Sequence, residues 1–128
     1  MEKQKMNYKD LDIWKLANEI ANEIHSITIK ELPSFEMYET GSQIRRSSKS
    51  VKSNIVEGFG RRQSKKEFLQ FLRYAISSND ETLDHLETLF RVGSLKNSDI
   101  YEHLHKKITE LGKMLYGFFK AVEKNHRT

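Results

Sequence analysis

Apolar positions recur along this chain at spacings of three and four, in four blocks separated by short polar breaks. That period gathers side chains on one face of a helix. Ile13, Ala17, Ile20, Ile24 and Ile27 predict a helix over about 10–28, ended ahead of Pro33 because proline disfavours helix in the residue before it. Met37, Gly41, Ile44, Ser48, Val51 and Ile55 predict a second over about 35–59, with a thin seam in which Gly, Ser and Val hold three positions. Gly58 and Gly60 read as its stop, through left-handed conformations. Phe68, Leu69, Phe71, Leu72, Ala75, Ile76, Leu83, Leu86, Leu89 and Phe90 predict a third helix over about 64–92, closed by Gly93, whose apolar surface exceeds one stripe. Ser64 and Glu67 have capping-box spacing at its start. Leu104, Ile108, Leu111, Leu115, Phe118 and Val122 predict a fourth over about 98–123.

Four helices joined by short connections predict an all-α, up-down-up-down antiparallel four-helix bundle over 10–123, with a flexible arm at 1–9 and a frayed end at 124–128. A single proline among 128 residues suits this reading, since helix interiors reject it. The absence of cysteine excludes disulfides and thiolate zinc sites. No apolar run approaches the ~20 residues of a membrane helix, and residues 1–10 lack an apolar signal core. The expected setting is the cytoplasm, with no membrane partner.

Charge changes the picture at the second helix. Residues 45–66 hold eight Lys or Arg against one acid, Glu57, a net +7 in a chain whose total is +4, so the rest sums to −3. Arg45, Lys49 and Lys52 form a basic stripe beside the seam, continued by Arg61, Arg62, Lys65 and Lys66. Clustered cations reward a phosphate backbone through counterion release, and a helix N-terminus at residue 64 adds free amides. The plainer alternative is a solvated face, or arginines paired with Asp80, Glu81, Asp84 or Glu87. On the other flank Gln43, Ser47, Ser50, Asn54 and Glu57 form a small-polar stripe. Either it faces water, or, with Arg46, it lets another helix approach closely. The surplus apolar surface of the third helix favours the second option, a homo-oligomer.

Catalytic signals are weak. Gly58-Phe59-Gly60-Arg61-Arg62 follows a helix and lacks the phosphate-loop spacing. Glu102 and His105 make a lone E-x-x-H pair, whereas di-iron bundles use two such pairs and two further glutamates, all turned inward. No catalytic residue, metal ligand or cofactor is assigned.

Several runs resemble a known family. Ser42-Gln43-Ile44-Arg45-Arg46-Ser47, then Ser50-Val51, Asn54-Ile55 and Glu57-Gly58-Phe59-Gly60-Arg61, are similar to the signature of bacterial four-helix bundles encoded in 23S ribosomal RNA intervening sequences. Asp10-Leu11-Asp12-Ile13-Trp14, Lys66-Glu67-Phe68-Leu69-Gln70-Phe71-Leu72 and Gly112-Lys113-Met114-Leu115 also fit, so the likeness spans about Tyr8 to Val122. Gly41, Ser47 and Ser48 depart from the small polar residue and the alanines common there. The resemblance implies a ring-shaped homopentamer of unestablished role. It also implies kinship with the accessory variability proteins of retroelements, which are thought to bind nucleic acid.

The leading expectation is therefore a non-enzymatic oligomeric bundle that binds RNA or DNA through Arg45, Lys49, Lys52, Arg61, Arg62, Lys65 and Lys66. The rival is a protein-interaction scaffold, with Gln43, Arg46, Ser47, Ser50, Asn54 and Glu57 at the subunit interface and the basic loop receiving an acidic partner protein.

Overall fold

The computed structural model describes residues 6–125. Four helices carry the fold: α1 Asp12–Lys30, α2 Thr40–Gly60, α3 Lys65–Arg91 and α4 Ser98–Asn125. Two short 3-10 turns, Tyr8–Asp10 and Ser34–Tyr38, precede α1 and α2, and there is no strand among the described residues. Each helix packs on the next, and α4 closes the circuit on α1. With connections this short, that circuit is an up-down-up-down bundle.

The heptad positions fill the core. Ile24, Ile44, Val51, Ile55, Leu72, Leu86, Leu104, Ile108, Leu111 and Leu115 are all essentially inaccessible to solvent. The excess apolar surface of α3 is mostly used inside the chain, because α3 lies between α2 and α4 and buries Phe68, Leu69, Leu72, Ala75, Leu86 and Leu89. Phe90 is more exposed and stacks on Tyr101, with ring centroids 4.1 Å apart.

The start of α2 differs from the sequence expectation. A continuous helix from about 35 is replaced by the Ser34–Tyr38 turn and a break at Glu39, whose φ of −116° and ψ of −135° are not helical. The cause is Glu36. Its side chain turns inward and is 3 % exposed. The N–H of Gly41 donates to Glu36 Oε1 at 3.2 Å and the Ser94 hydroxyl donates to Oε2 at 2.5 Å. One buried carboxylate thus ties the α1–α2 connection to the α3–α4 connection. Only glycine fits at 41, since a Cβ there would lie 2.4 Å from the Glu36 carbonyl oxygen.

Helix ends bring further corrections. Gly58 and Gly60 lie within α2, and the single positive φ among the described residues belongs to Gly93, at 84°. Gly58 is small for packing: a Cβ there would sit 3.0 Å from Phe71 Cβ. Ser64 Oγ accepts the Glu67 amide at 3.2 Å, but the Glu67 carboxylate reaches back past the N-cap and accepts from Arg61 at 2.9 Å, so only half of the capping box forms. Asn97 Oδ1 caps α4 through the amides of Asp99 and Ile100. The expected flexible arm is built from Asn7 onward: Asn7 and Asp10 cap the first turn reciprocally, and Tyr8 packs edge-on against Trp14. Of the end expected to fray, α4 takes Lys124 and Asn125. Residues 1–5 and 126–128 lie outside the described part.

Across α1 and α4, Lys107 donates to Glu19 at 2.7 Å and to Glu23 at 3.1 Å. Desolvation lowers its pKa, but the two carboxylate hydrogen bonds outweigh that and leave it raised. A raised lysine pKa stabilises the fold below the unfolded-state value, and the contribution disappears as pH climbs through the raised one. No helix among the described residues is long and apolar enough to cross a membrane.

Glycine replacement separates close approach from helix propensity. Gly41→Ala should cost about 1–3 kcal/mol through overpacking. Gly117→Ala, where nothing lies within 4 Å of the new methyl, should gain about 0.5–1 kcal/mol. Urea denaturation of the two variants checks both signs.

Candidate nucleic-acid interface

The basic stripe sits on α2 because the opposite flank of that helix is occupied by α3. Thr82 donates to Ser47 Oγ at 2.8 Å, and the Ser50 and Ser78 hydroxyls lie 2.9 Å apart. Asn54 Nδ2 donates to the Ser50 hydroxyl at 3.1 Å and to its carbonyl at 2.9 Å. The short side chains expected to admit a helix from another subunit thus admit α3 of the same chain. Ser47 is buried in that seam, and Ser50 and Asn54 are half-buried along it. Of the residues proposed for a subunit contact, Gln43, Arg46 and Glu57 are exposed, and Glu57 holds Arg61 at 3.0 Å.

The seven cations proposed for phosphate contact do not form one array. Arg45 folds back on the turn before α2, where Nη2 donates to the Met37 carbonyl at 2.7 Å and Nη1 is buried without a partner. Lys52 donates to Asn18 of α1 at 3.2 Å. Arg61 bridges Glu57 and Glu67 and lies 5.1 Å from the Phe71 ring centre. Hydrogen bonds to Glu57 first and Glu67 second raise its pKa further above an already high ordinary value. Arg62 donates to the Phe59 carbonyl at 2.9 Å and lies over the Phe59 ring at 4.0 Å. Lys49, Lys65 and Lys66 make no ion pair or hydrogen bond among the described residues, and neither does Arg46.

None of these arginines pairs with Asp80, Glu81, Asp84 or Glu87 of α3 among the described residues. Glu81 lies 3.4 Å from His85, and Glu87 lies 2.9 Å from His105. Asp80 and Asp84 are exposed and unpaired among the described residues. Glu102 of the lone E-x-x-H pair is exposed, and no group of three or more His, Asp or Glu suited to a metal occurs among the described residues.

One feature escaped the sequence reading. A groove of about 410 Å³ runs between α3 and α4, walled by Ile76, Leu83 and Ile108 and rimmed by Asp80, Lys113 and Tyr116. It exists because residue 112 has no side chain: a Cβ there would meet Asn79 Nδ2 at 3.2 Å. Asn79 is 3 % exposed and donates to the Ile108 carbonyl at 3.0 Å, but its Oδ1 has no partner. The Thr109 hydroxyl beside it is also buried without one. Such groups each cost about 1–3 kcal/mol when left unpaired. The available signal was a polar residue, Asn79, at core spacing between Leu72, Ala75 and Leu86, opposite a glycine inside a helix.

The fold and its surface define a class: a four-helix bundle with a basic end and a polar-floored groove between two helices. The family model for 23S rRNA-intervening sequence proteins matches residues 9–117. The chain belongs to that family. A crystal structure of a protein with unknown function from the S23 ribosomal protein family of Bacteroides thetaiotaomicron VPI-5482 superposes with a TM-score of 0.75 at 27 % identity, covering 84 % of this chain and 95 % of that one. The search of curated proteins gives no match.

Arg45 and Lys49 should respond differently to truncation. Arg45→Ala removes a charged hydrogen bond from the 34–38 turn and should cost about 1.5–3 kcal/mol. Lys49→Ala, on the open face, should stay within about 0.5 kcal/mol of the parent. Denaturant midpoints measured at unchanged m-value distinguish them.

Proposed function

We propose that the chain serves as a non-enzymatic, ring-shaped homo-oligomer, a homopentamer, that engages the phosphate backbone of RNA or DNA through the basic end of each bundle. The observation that carries this reading is the group of cations at the α2–α3 connection. Lys65 and Lys66 open a helix of 27 residues, and both are without ion pairs among the described residues. Their amides precede the first intrahelical bond, from Phe68 N–H to the Ser64 carbonyl. Side-chain charge and the positive end of the helix dipole therefore coincide. Arg62, tethered through one guanidinium nitrogen, adds to the same end. Arg45, Lys52 and Arg61 are occupied within the chain and leave the contact set, and Lys49 lies higher on α2. Copies round one axis would multiply the local field, and contacts to phosphate confer affinity with little base preference.

A protein-interaction scaffold is the second reading. It is favoured by the internal neutralisation of Arg61, which leaves fewer cations for a polyanion.

Binding of a structured RNA followed across a salt series tests the first reading. The logarithm of affinity should fall linearly with the logarithm of salt. Lys65→Gln with Lys66→Gln should weaken binding at least tenfold at low salt and flatten the slope. Arg61→Gln should change it far less. Absence of binding at low salt, or affinity independent of salt, favours the scaffold.

A further inference from the structure

We propose that the outer face of α4, from Lys113 to Lys124, takes an unpaired strand of RNA or DNA, with one base laid on the Tyr116 ring and the bare backbone at Gly117, and with phosphates at Lys113 and Lys120. The proposal rests on the nucleic-acid reading above and specifies the form of nucleic acid and a second contact surface for it.

Lys113, Gly117, Lys120 and Lys124 follow one another at steps of four, three and four, so they share one stripe of α4, with Tyr116 at its edge, and all five are exposed. Lys113 and Lys124 make no ion pair or hydrogen bond among the described residues. Lys120 lies 3.5 Å from Glu123, both open to solvent, where such a pair holds a cation only weakly. Lys66 and Arg73 of α3 are exposed on the same side. Arg73 lies 5.1 Å from the Phe119 ring centre, and the Phe68 and Phe118 ring centres are 5.9 Å apart. The stripe therefore ends at the same end of the bundle as Lys65 and Lys66. Toward the other end it stops: Glu110 stands one turn before Lys113, and Asp80 shares the α3–α4 groove with Lys113. Charge counted along the chain hides this surface, because everything outside residues 45–66 sums to −3.

Charge alone fits any polyanion. Two further features select an unpaired strand. Tyr116 is 57 % exposed, and Lys120 Nζ lies 5.7 Å from its ring centre, so an aromatic face and a cation stand together. Bases of an unpaired strand stack on such rings while their phosphates meet cations, whereas a duplex keeps its base faces inside. The second feature is Gly117. Glycine in a helix interior costs about 1 kcal/mol relative to alanine, and no atom of this chain lies within 4 Å of the Cβ that alanine would add. The other glycines have reasons within the chain: Gly41, Gly58 and Gly112 meet atoms at 3.2 Å or less, Gly60 ends α2, and Gly93 has a positive φ. At residue 117 the bare backbone serves an approach from outside, where a flat group lies directly on the helix. The stripe from Lys113 to Lys124 is roughly 16 Å long at ~1.5 Å per residue, room for about five nucleotides at ~3.4 Å each.

Fluorescence anisotropy at low salt, with a labelled oligo(U) strand and a duplex of equal length, tests this surface. Tyr116→Ala should weaken binding of the single strand at least about fivefold and leave the duplex within about twofold, and Tyr116→Phe should keep the parent affinity. Gly117→Leu should weaken the single strand by a similar factor while holding or raising the denaturant midpoint, since leucine is the better helix former. Lys113→Gln with Lys120→Gln should flatten the salt slope by about 1.4, two phosphates at ~0.7 each. A parent that binds single strands, loses them on Lys65→Gln with Lys66→Gln and keeps them on every α4 variant overturns the α4 surface while leaving the basic-end reading. Equal losses of strand and duplex on Tyr116→Ala overturn the assignment to an unpaired strand. Absence of binding by the parent at low salt removes both readings and leaves the stripe to an acidic protein.

Discussion

The hydroxyl seam between α2 and α3 is the constraint on which most of the structure depends. The apolar stripe of α2 is narrow, so that helix cannot be held by burial of large side chains alone. Ser47, Ser50, Asn54 and Gly58 instead allow close approach, and Thr82 and Ser78 complete their hydrogen bonds. Once that flank is committed to α3, the orientation of the rest of α2 follows from its 3.6-residue period. Ile44, Val51 and Ile55 turn to the core, Lys52 meets α1, and Arg46 and Lys49 turn outward. The same hydrogen bonds set the register of the two helices.

Glu36 performs a comparable task at one end of the bundle. A buried carboxylate is tolerated only when its oxygens are matched by donors, and both are. The Gly41 amide belongs to the first turn of α2 and the Ser94 hydroxyl to the α3–α4 connection, so their closure joins the two halves of the chain. The turn before α2 is further held by Arg45 on the Met37 carbonyl. It presents Phe35, at 60 % exposure, and Tyr38, at 88 %, on a backbone fixed from beneath.

Charge in this protein is partitioned rather than pooled. A stretch of net +7 suggests one broad basic surface, but Arg45, Lys52 and Arg61 each have intramolecular partners, and Arg62 is partly engaged by Phe59. The remaining cations fall into two groups, Arg46 with Lys49 on the length of α2 and Lys65 with Lys66 at the start of α3. At ~1.5 Å rise per residue, α2 separates the groups by roughly 20 Å, about two Debye lengths at physiological salt. Each group can therefore serve a different partner.

Helix number, approximate boundaries and core membership were legible along the chain, because apolar period and helix geometry are local properties. Ile44, Val51 and Ile55, or Leu104, Ile108 and Leu111, declare their face by spacing alone, and the second-helix motif identifies the family. Tertiary structure alone decided what the polar residues do. Ser47 reads the same whether it meets water, another subunit or Thr82, because its partner is 35 residues away. Glu36 breaks the expected start of α2 through a hydroxyl 58 residues distant, and the α3–α4 groove arises where Gly112 happens to face Asn79. Hydrophobic burial is non-directional and survives compression into a one-dimensional pattern. A hydrogen bond or ion pair needs two named groups at one distance and angle, and that distance exists only after the helices have packed.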